Sequence, residues 1–394
     1  SMLNELTEYK RLGYYSVGDK ILINKADALI EATSSKNNVH WNFNDEIFSF
    51  IDWTIPIDVS LNELYRQRAQ QLRDKYDYLS LYYSGGVDST NVLHAFIDNN
   101  ILLDEIVMYR PKLLDTFTNR IDRSNNNVFS EIEFAAIPHL KKYIKDPRTN
   151  IRIINIDTSL DNFLKDDNLV SEFQTINLFM PTGAGRLSMN TNDFEWNRLY
   201  MLGKKVCHIH GIDKPVIKLV NGEYIFQFLD TMVTPAVNVP KYNSSFSEMF
   251  YKQQFHELFY WTPDLPQLVI KQCQVVKSIN KTGDFTHLFE KSDRLKQDKF
   301  LFIHQYIYPS HVNSVRDLFV TEKPGADIYS GQGSWFHERM DNKSRGVFKD
   351  IITNMQNSID TRFFRGYDNT NYYLEDPDVG SPKTALRAIK SRKY

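Results

Sequence analysis

The sequence predicts an α/β fold: a parallel sheet sandwiched by helices, preceded by an N-terminal cap and followed by a mostly helical C-terminal region. Three observations lead there. A short apolar run at 78–81 delivers the turn Tyr82-Tyr83-Ser84-Gly85-Gly86-Val87-Asp88-Ser89-Thr90, and Asn91-Val92-Leu93-His94-Ala95-Phe96-Ile97 continues it with helical character. Short apolar runs recur at 104–109, 151–156 and 205–210, separated by segments long enough for crossover helices. Parallel strands need such crossovers, and strands between two helical layers are expected to be buried on both faces. Beyond residue 231 the pattern turns helical and irregular.

Each element follows from its local signal. Residues 1–75 read as the cap, with a strand at 21–25, an aromatic stretch with acidic residues at 41–53, and a helix over 61–72 whose charges share one face. Residues 76–230 carry the sheet. Its first helix ends near Asn99-Asn100, a long helix covers 126–144, and four strands are expected at 78–81, 104–109, 151–156 and 205–210. Asn221-Gly222 between two alternating runs predicts a hairpin. In the last region, 231–394, helices are expected over 245–260, 267–278, 299–308 and 345–358.

Composition narrows the function classes. A chain of 394 residues exceeds one ordinary domain, and 42% hydrophobic residues can build a large core. A net charge of −2 gives no global case for nucleic-acid binding. No apolar run reaches transmembrane length and no signal-peptide pattern opens the sequence, so a cytoplasmic protein with no membrane partner is expected. The two cysteines, Cys207 and Cys273, exclude a disulfide framework or a zinc site made of cysteines alone.

The 84–90 turn carries the clearest chemistry. Paired glycines let backbone approach an anion closely, and the first N–H groups of the following helix have no intrahelical partners. Ser84, Ser89 and Thr90 add hydroxyl donors, and Asp88 can cap the helix or hold a magnesium ion. No Gly-Lys-Ser/Thr closes the turn, so it is a phosphate cradle of a different kind from the Walker loop.

The Ser84-Gly85-Gly86-Val87-Asp88-Ser89 core, in its strand–turn–helix setting, resembles the PP-loop of the ATP pyrophosphatase superfamily: asparagine synthetase, argininosuccinate synthetase, NAD synthetase, tRNA thiolation enzymes and relatives. The resemblance spans about residues 75–230 and implies a Rossmann-like sheet of the HUP type. It implies that Ser84, Gly85, Gly86, Val87, Asp88, Ser89 and Thr90 bind the pyrophosphate part of ATP, with Mg2+ as companion ion. It also implies backbone contacts from Met108 and Tyr109 to the adenine edge, although both are equally ordinary strand-end core residues. Sulfur-transfer branches need cysteines that this chain lacks, which leaves the amide- or adenylate-forming branch, nearest the synthetase domain of asparagine synthetase-like enzymes. The segment before the loop is too short for a glutaminase domain and has no cysteine. Ammonia or an amine would therefore arrive free or from a separate glutaminase.

Further candidates lie at other strand ends. His208-Ile209-His210-Gly211-Ile212-Asp213-Lys214-Pro215 closes the fourth strand. By the position such a segment takes in the resembled enzymes, Asp213 would join Asp88 on magnesium and Lys214 would neutralise departing pyrophosphate. The same residues also make ordinary turn chemistry. His208 and His210 share a strand face, but no third metal ligand is apparent nearby, and His210 is the better candidate for substrate contact. Gly183, Gly185 and Arg186 form a small-residue loop in which Arg186 can grip a carboxylate; a glycine turn with a solvated arginine reads equally well. Gly331-Gln332-Gly333 and Lys323-Pro324-Gly325 read as turns, and the tail from Ser381 carries basic side chains without an acid.

These readings give one expected activity. A substrate oxygen, that of a small-molecule acyl substrate, attacks the α-phosphorus of ATP and expels pyrophosphate, after which ammonia or an amine displaces AMP. Asp88 and Lys214 are the expected catalytic pair. Two alternatives are a PP-loop enzyme modifying a nucleobase or tRNA, supported only by the basic tail, and a non-catalytic ATP- or AMP-binding regulatory module.

Overall fold

The computed structural model describes residues 10–22, 25–110, 112, 131–165, 193–230, 254–290, 296–313, 340–364 and 368–375. The cap comprises β1 (Tyr14–Val17), β2 (Lys20–Leu22), α1 (Lys25–Ser35), β3 (Val39–Asn42) and α2 (Leu61–Lys75). The α/β part follows with β4 (Tyr78–Tyr82), α3 (Val87–Ile97), β5 (Glu105–Arg110), α4 (Ile137–Tyr143), β6 (Asn150–Asn155), α5 (Ile156–Leu164), α6 (Phe194–Met201) and β7 (Val206–His210). Then come the hairpin β8 (Ile217–Val220) and β9 (Glu223–Phe226), β10 (Gln254–Leu258), α7 (Pro266–Ser278), α8 (Lys296–Ile307), α9 (Asn342–Ser358), β11 (Asp368–Asn369) and β12 (Tyr372–Tyr373).

Five strands form one all-parallel sheet in the order β10-β7-β4-β5-β6. Numbered along the chain, this is 3-2-1-4-5 read from the β6 edge, so the direction of winding reverses between β4 and β7. Sheets of this kind bind ligands in the crevice outside the carboxyl ends of the strands at that reversal. The 84–90 turn leaves β4 there.

The fifth strand corrects the expected helix over 245–260. Gln254–Leu258 pairs with β7 from Gln254↔Val206 to Leu258↔His210, and the Phe259 N–H extends the ladder to the His210 carbonyl at 3.0 Å. Aromatic spacing over so short a segment fits period 2 as well as 3.6, and an open sheet edge decides between them. Residues 245–253 lie outside the described residues. The sheet therefore draws on chain beyond residue 230. Burial on both faces holds at β4, β5 and β7, whereas the edge strand β6 leaves Ile151 and Ile153 exposed.

Local chemistry explains the ends of the elements around the site. Ser60 caps α2 by accepting the Glu63 N–H. Helix α3 runs from Val87 to Ile97, and Asn100 adopts a left-handed φ of 55° just beyond its end. The described part of the expected 126–144 helix is a π-turn at Ile132–Ala136 followed by α4; residues 126–130 lie outside the described residues. Asn221 and Gly222 take φ values of 52° and 77°, as a tight hairpin turn requires. The strand expected at 21–25 forms at Lys20–Leu22, and α1 begins at Lys25.

The last described strands return to the start of the chain. β11 lies parallel to β3 in the four-stranded sheet β11-β3-β1-β2, and β12 pairs with β9. Tyr372 then stacks on Trp53 at 4.6 Å, within a cluster containing Phe48, Phe226, Phe228 and Trp261. Within the core that cap and sheet share lies a buried polar link. Buried Glu257 on β10 accepts from Arg68 at 3.1 Å, Tyr76 at 2.5 Å and Lys75 at 3.2 Å, while Arg68 also donates to the carbonyls of Leu258 and Phe259. Burial alone would raise the Glu257 pKa, but the charges of Arg68, Arg11 and Lys75 hold it down at about 2. Among the described residues, no helix is long and apolar enough to cross a membrane.

Candidate active site

The turn after β4 is built by its two glycines and two serines. Gly85 sits at φ +84°, and a Cβ there would stand 2.8 Å from the Ala136 nitrogen and the Glu131 carbonyl. Only glycine fits both the backbone conformation and the space. Gly86 caps α3 in an extended conformation, and its N–H donates to Ser84 Oγ at 3.2 Å. The Ser84 and Ser89 hydroxyls meet at 3.0 Å, and Ser89 Oγ bonds the Gly86 carbonyl. The serines thus staple the turn, with the first-turn N–H groups of α3 at its mouth.

A second glycine approach brings the end of β7 against this turn. A Cβ on Gly211 would lie 3.0 Å from Ser89 Cα. Close passage here carries the next residues, Asp213 and Lys214, over the start of α3. The Lys214 Nζ donates to Asp88 Oδ2 at 3.1 Å and to Asp213 Oδ1 at 3.1 Å. Two carboxylates from separate strand ends therefore converge on one ammonium.

Asp88 is held from the other side by the C-terminal region. The Tyr308 hydroxyl donates to Asp88 Oδ1 at 2.5 Å, His304 Nε2 lies 3.3 Å from the same oxygen, and the Tyr260 hydroxyl donates to the Asp88 carbonyl at 2.7 Å. Asn91 orients Tyr260 at 3.1 Å, and Tyr65 of α2 bonds the Ile307 carbonyl at 2.7 Å, fixing the end of α8. Burial works against the Asp88 carboxylate, yet Lys214, then His304 and Tyr308, keep its pKa well below the usual range. For Lys214, burial pulls the pKa down, and Asp213 and Asp88 outweigh it and push it up. Both groups are held charged.

The sequence-predicted residues divide accordingly. Ser84, Gly85, Gly86, Asp88, Ser89, Asp213 and Lys214 come together. Thr90 is fully buried with its hydroxyl 3.1 Å from the Tyr83 hydroxyl, and the Val87 side chain is buried too, so neither side chain lines the turn's mouth. Gly183, Gly185 and Arg186 lie outside the described residues, as do the 331–336 and 323–325 turns and the basic tail.

Met108 and Tyr109 lie in buried positions near the end of β5, and Tyr109 begins a column of rings. Tyr109 stacks on Tyr82 at 5.3 Å, Tyr82 on His210 at 4.7 Å and His210 on His256 at 5.3 Å, with interplanar angles of 12°, 18° and 20°. His210 Nε2 and His256 Nδ1 are 3.0 Å apart. His208 shares the face of His210 and packs between Trp196 and His256. Burial, then His208 and His210, pushes the His256 pKa well below its ordinary value.

His304, Tyr308 and Tyr260 are the site residues that the sequence reading missed. His304 and Tyr308 stand four residues apart at the end of an expected helix, the spacing that aligns two polar groups on one face. That spacing was the available signal. Set beside known proteins, the chain matches no family model, and no curated protein matches it.

Proposed function

We propose that this chain is an ATP-dependent adenylating enzyme of the ligase or amidotransferase type, with the 84–90 turn as its pyrophosphate cradle. The observation that carries the reading is the meeting of Asp88, Asp213 and Lys214 in front of a glycine turn at the reversal point of a parallel sheet. Magnesium takes oxygen ligands, so Asp88 and Asp213 would fit as its protein ligands once Lys214, which now bonds both carboxylates, has moved aside. When bound, that ion supplies charge neutralisation on the phosphate oxygens.

The chain's own residues account for the rest. The first N–H groups of α3 take phosphate oxygens, with Ser84 and Ser89 holding the turn open to them. Tyr308 and His304 occupy Asp88 Oδ1, and Oδ2 accepts from the Lys214 ammonium at 3.1 Å. Lys214, released from the carboxylates, neutralises the leaving pyrophosphate. A carboxylate oxygen of the substrate bonds to the α-phosphorus as the bond to the bridging β-phosphate oxygen breaks. Ammonia or an amine then bonds to the acyl carbon, and AMP leaves with the former carboxylate oxygen. Positioning and preorganised charge suffice, because the adenylate carries its own leaving group.

The test is incubation with ATP labelled in the α-phosphate, a pool of carboxylic acids and ammonium. AMP and pyrophosphate are the expected products; ADP and phosphate overturn the reading. Asp88→Asn is expected to lower AMP formation by about a hundredfold or more while preserving the circular dichroism spectrum.

A further inference from the structure

A second cluster of ligating side chains lies at the far end of α3. His94 and Asp98 stand one turn apart on that helix, and the short helical turn Ser310–Asn313 brings His311 to them. Asp98 Oδ1 is 3.0 Å from His94 Nδ1, and Asp98 Oδ2 is 2.9 Å from His311 Nε2. One ligand atom from each of the three residues lies within 4.8 Å of the other two. We infer that His94, Asp98 and His311 form a binding site for one divalent transition-metal ion of the zinc class, separate from the Asp88 centre.

Four features argue for a metal over a plain hydrogen-bonded cluster. Two imidazole nitrogens and a carboxylate oxygen are a donor set that zinc favours and that magnesium does not. Ligand atoms around tetrahedral zinc stand about 3.3 Å apart, given bonds near 2.0 Å; each histidine nitrogen already lies 3.0 or 2.9 Å from an Asp98 oxygen, and one atom from each residue lies within 4.8 Å of the others. His139 of α4 completes an outer layer. Its Nε2 lies 2.7 Å from His94 Nε2, so His94 can donate that ring proton to His139 and turn its Nδ1 lone pair to the ion. Such a second partner on the opposite ring nitrogen is the usual support of a ligating histidine. Access also fits: His94 is buried, whereas the Asp98 and His311 side chains are 44% and 42% exposed, leaving a fourth position open to water.

The ion would tie three elements together. It would hold the 310–313 turn against α3 and, through His139, against α4. The chain just before that turn supplies His304 and Tyr308 to Asp88, at the opposite end of the same helix.

The full chain, stripped with a chelator, is titrated with Zn2+ against a chromophoric competitor and separately with Co2+. One equivalent of tight binding is expected, with the intense visible absorption of a four-coordinate cobalt site. Asp98→Ala and His311→Ala, both at half-exposed positions, are each expected to lose that spectrum and weaken zinc binding at least about tenfold; His139→Gln weakens it about tenfold or more while leaving the cobalt bands. Zinc should raise the melting temperature of the wild type and leave that of His311→Ala unchanged. Absence of binding in the wild type overturns the proposal, and so does equal binding by wild type and His311→Ala.

Discussion

Gly85 is the residue whose replacement is most directly specified by geometry. Alanine there meets a left-handed φ and a Cβ position 2.8 Å from the backbone at Ala136 and Glu131. Gly85→Ala is expected to cost roughly 2–4 kcal/mol of stability, read from chemical denaturation, because neither backbone can retreat without moving the other. The strand–turn–helix form of this segment was legible in sequence, since it is set by a few consecutive residues. Thr90 shows the limit of that reading. Its hydroxyl belongs to the same motif, yet helix rotation points it at Tyr83 and into the core. His304, Tyr308 and Tyr260 were not legible as partners of Asp88, because only tertiary packing carries them across more than 170 residues of chain to it.

Among the elements, β10 joins two parts of the molecule through Glu257. Removing this charge leaves Arg68, which is 1% exposed, without its main counter-ion. Glu257→Gln is expected to destabilise the fold by about 3 kcal/mol near neutral pH, measured by denaturant titration. The sign of the pH dependence follows from the lowered pKa. The unfolded chain binds a proton on Glu257 near pH 4.5 and the folded chain only near 2. This contribution is therefore complete above about pH 4.5 and is lost as pH falls toward 2. The Gln variant should lose less stability than the wild type across that window. Elements with strong local signals, such as the Asn221-Gly222 hairpin and α3, were readable from sequence. A five-residue strand paired at a sheet edge was not, because Gln254–Leu258 acquires its identity from β7.

At the scale of the whole molecule, the late chain closes over the early one. Ile359, Phe363, Tyr372 and Leu374 are buried, and β11 and β12 extend sheets begun by the cap and the hairpin. A chain ending at residue 339 should therefore expose the Phe48–Trp53–Phe228 cluster, bind a hydrophobic dye and lose its cooperative melting transition; an unchanged melt would show that this closure is dispensable. The packing runs across residues 75 and 230, the boundaries between cap, sheet and C-terminal region in the sequence reading, through Glu257, β10 and β12. Long-range pairing of this sort leaves no local pattern to read.

The ring column from Tyr109 to His256 bears on that assembly in a different way. Tyr82 and His210 stand side by side on neighbouring strands, and each terminal ring is reached along a diagonal, so the column crosses four strands at a slant. Sliding any one of those strands by a single residue would throw its ring to the opposite face and break the stack. The column thus works as an alignment pin. It sets the relative heights of β4 and β7, and with them the level at which Asp88 and Lys214 can meet.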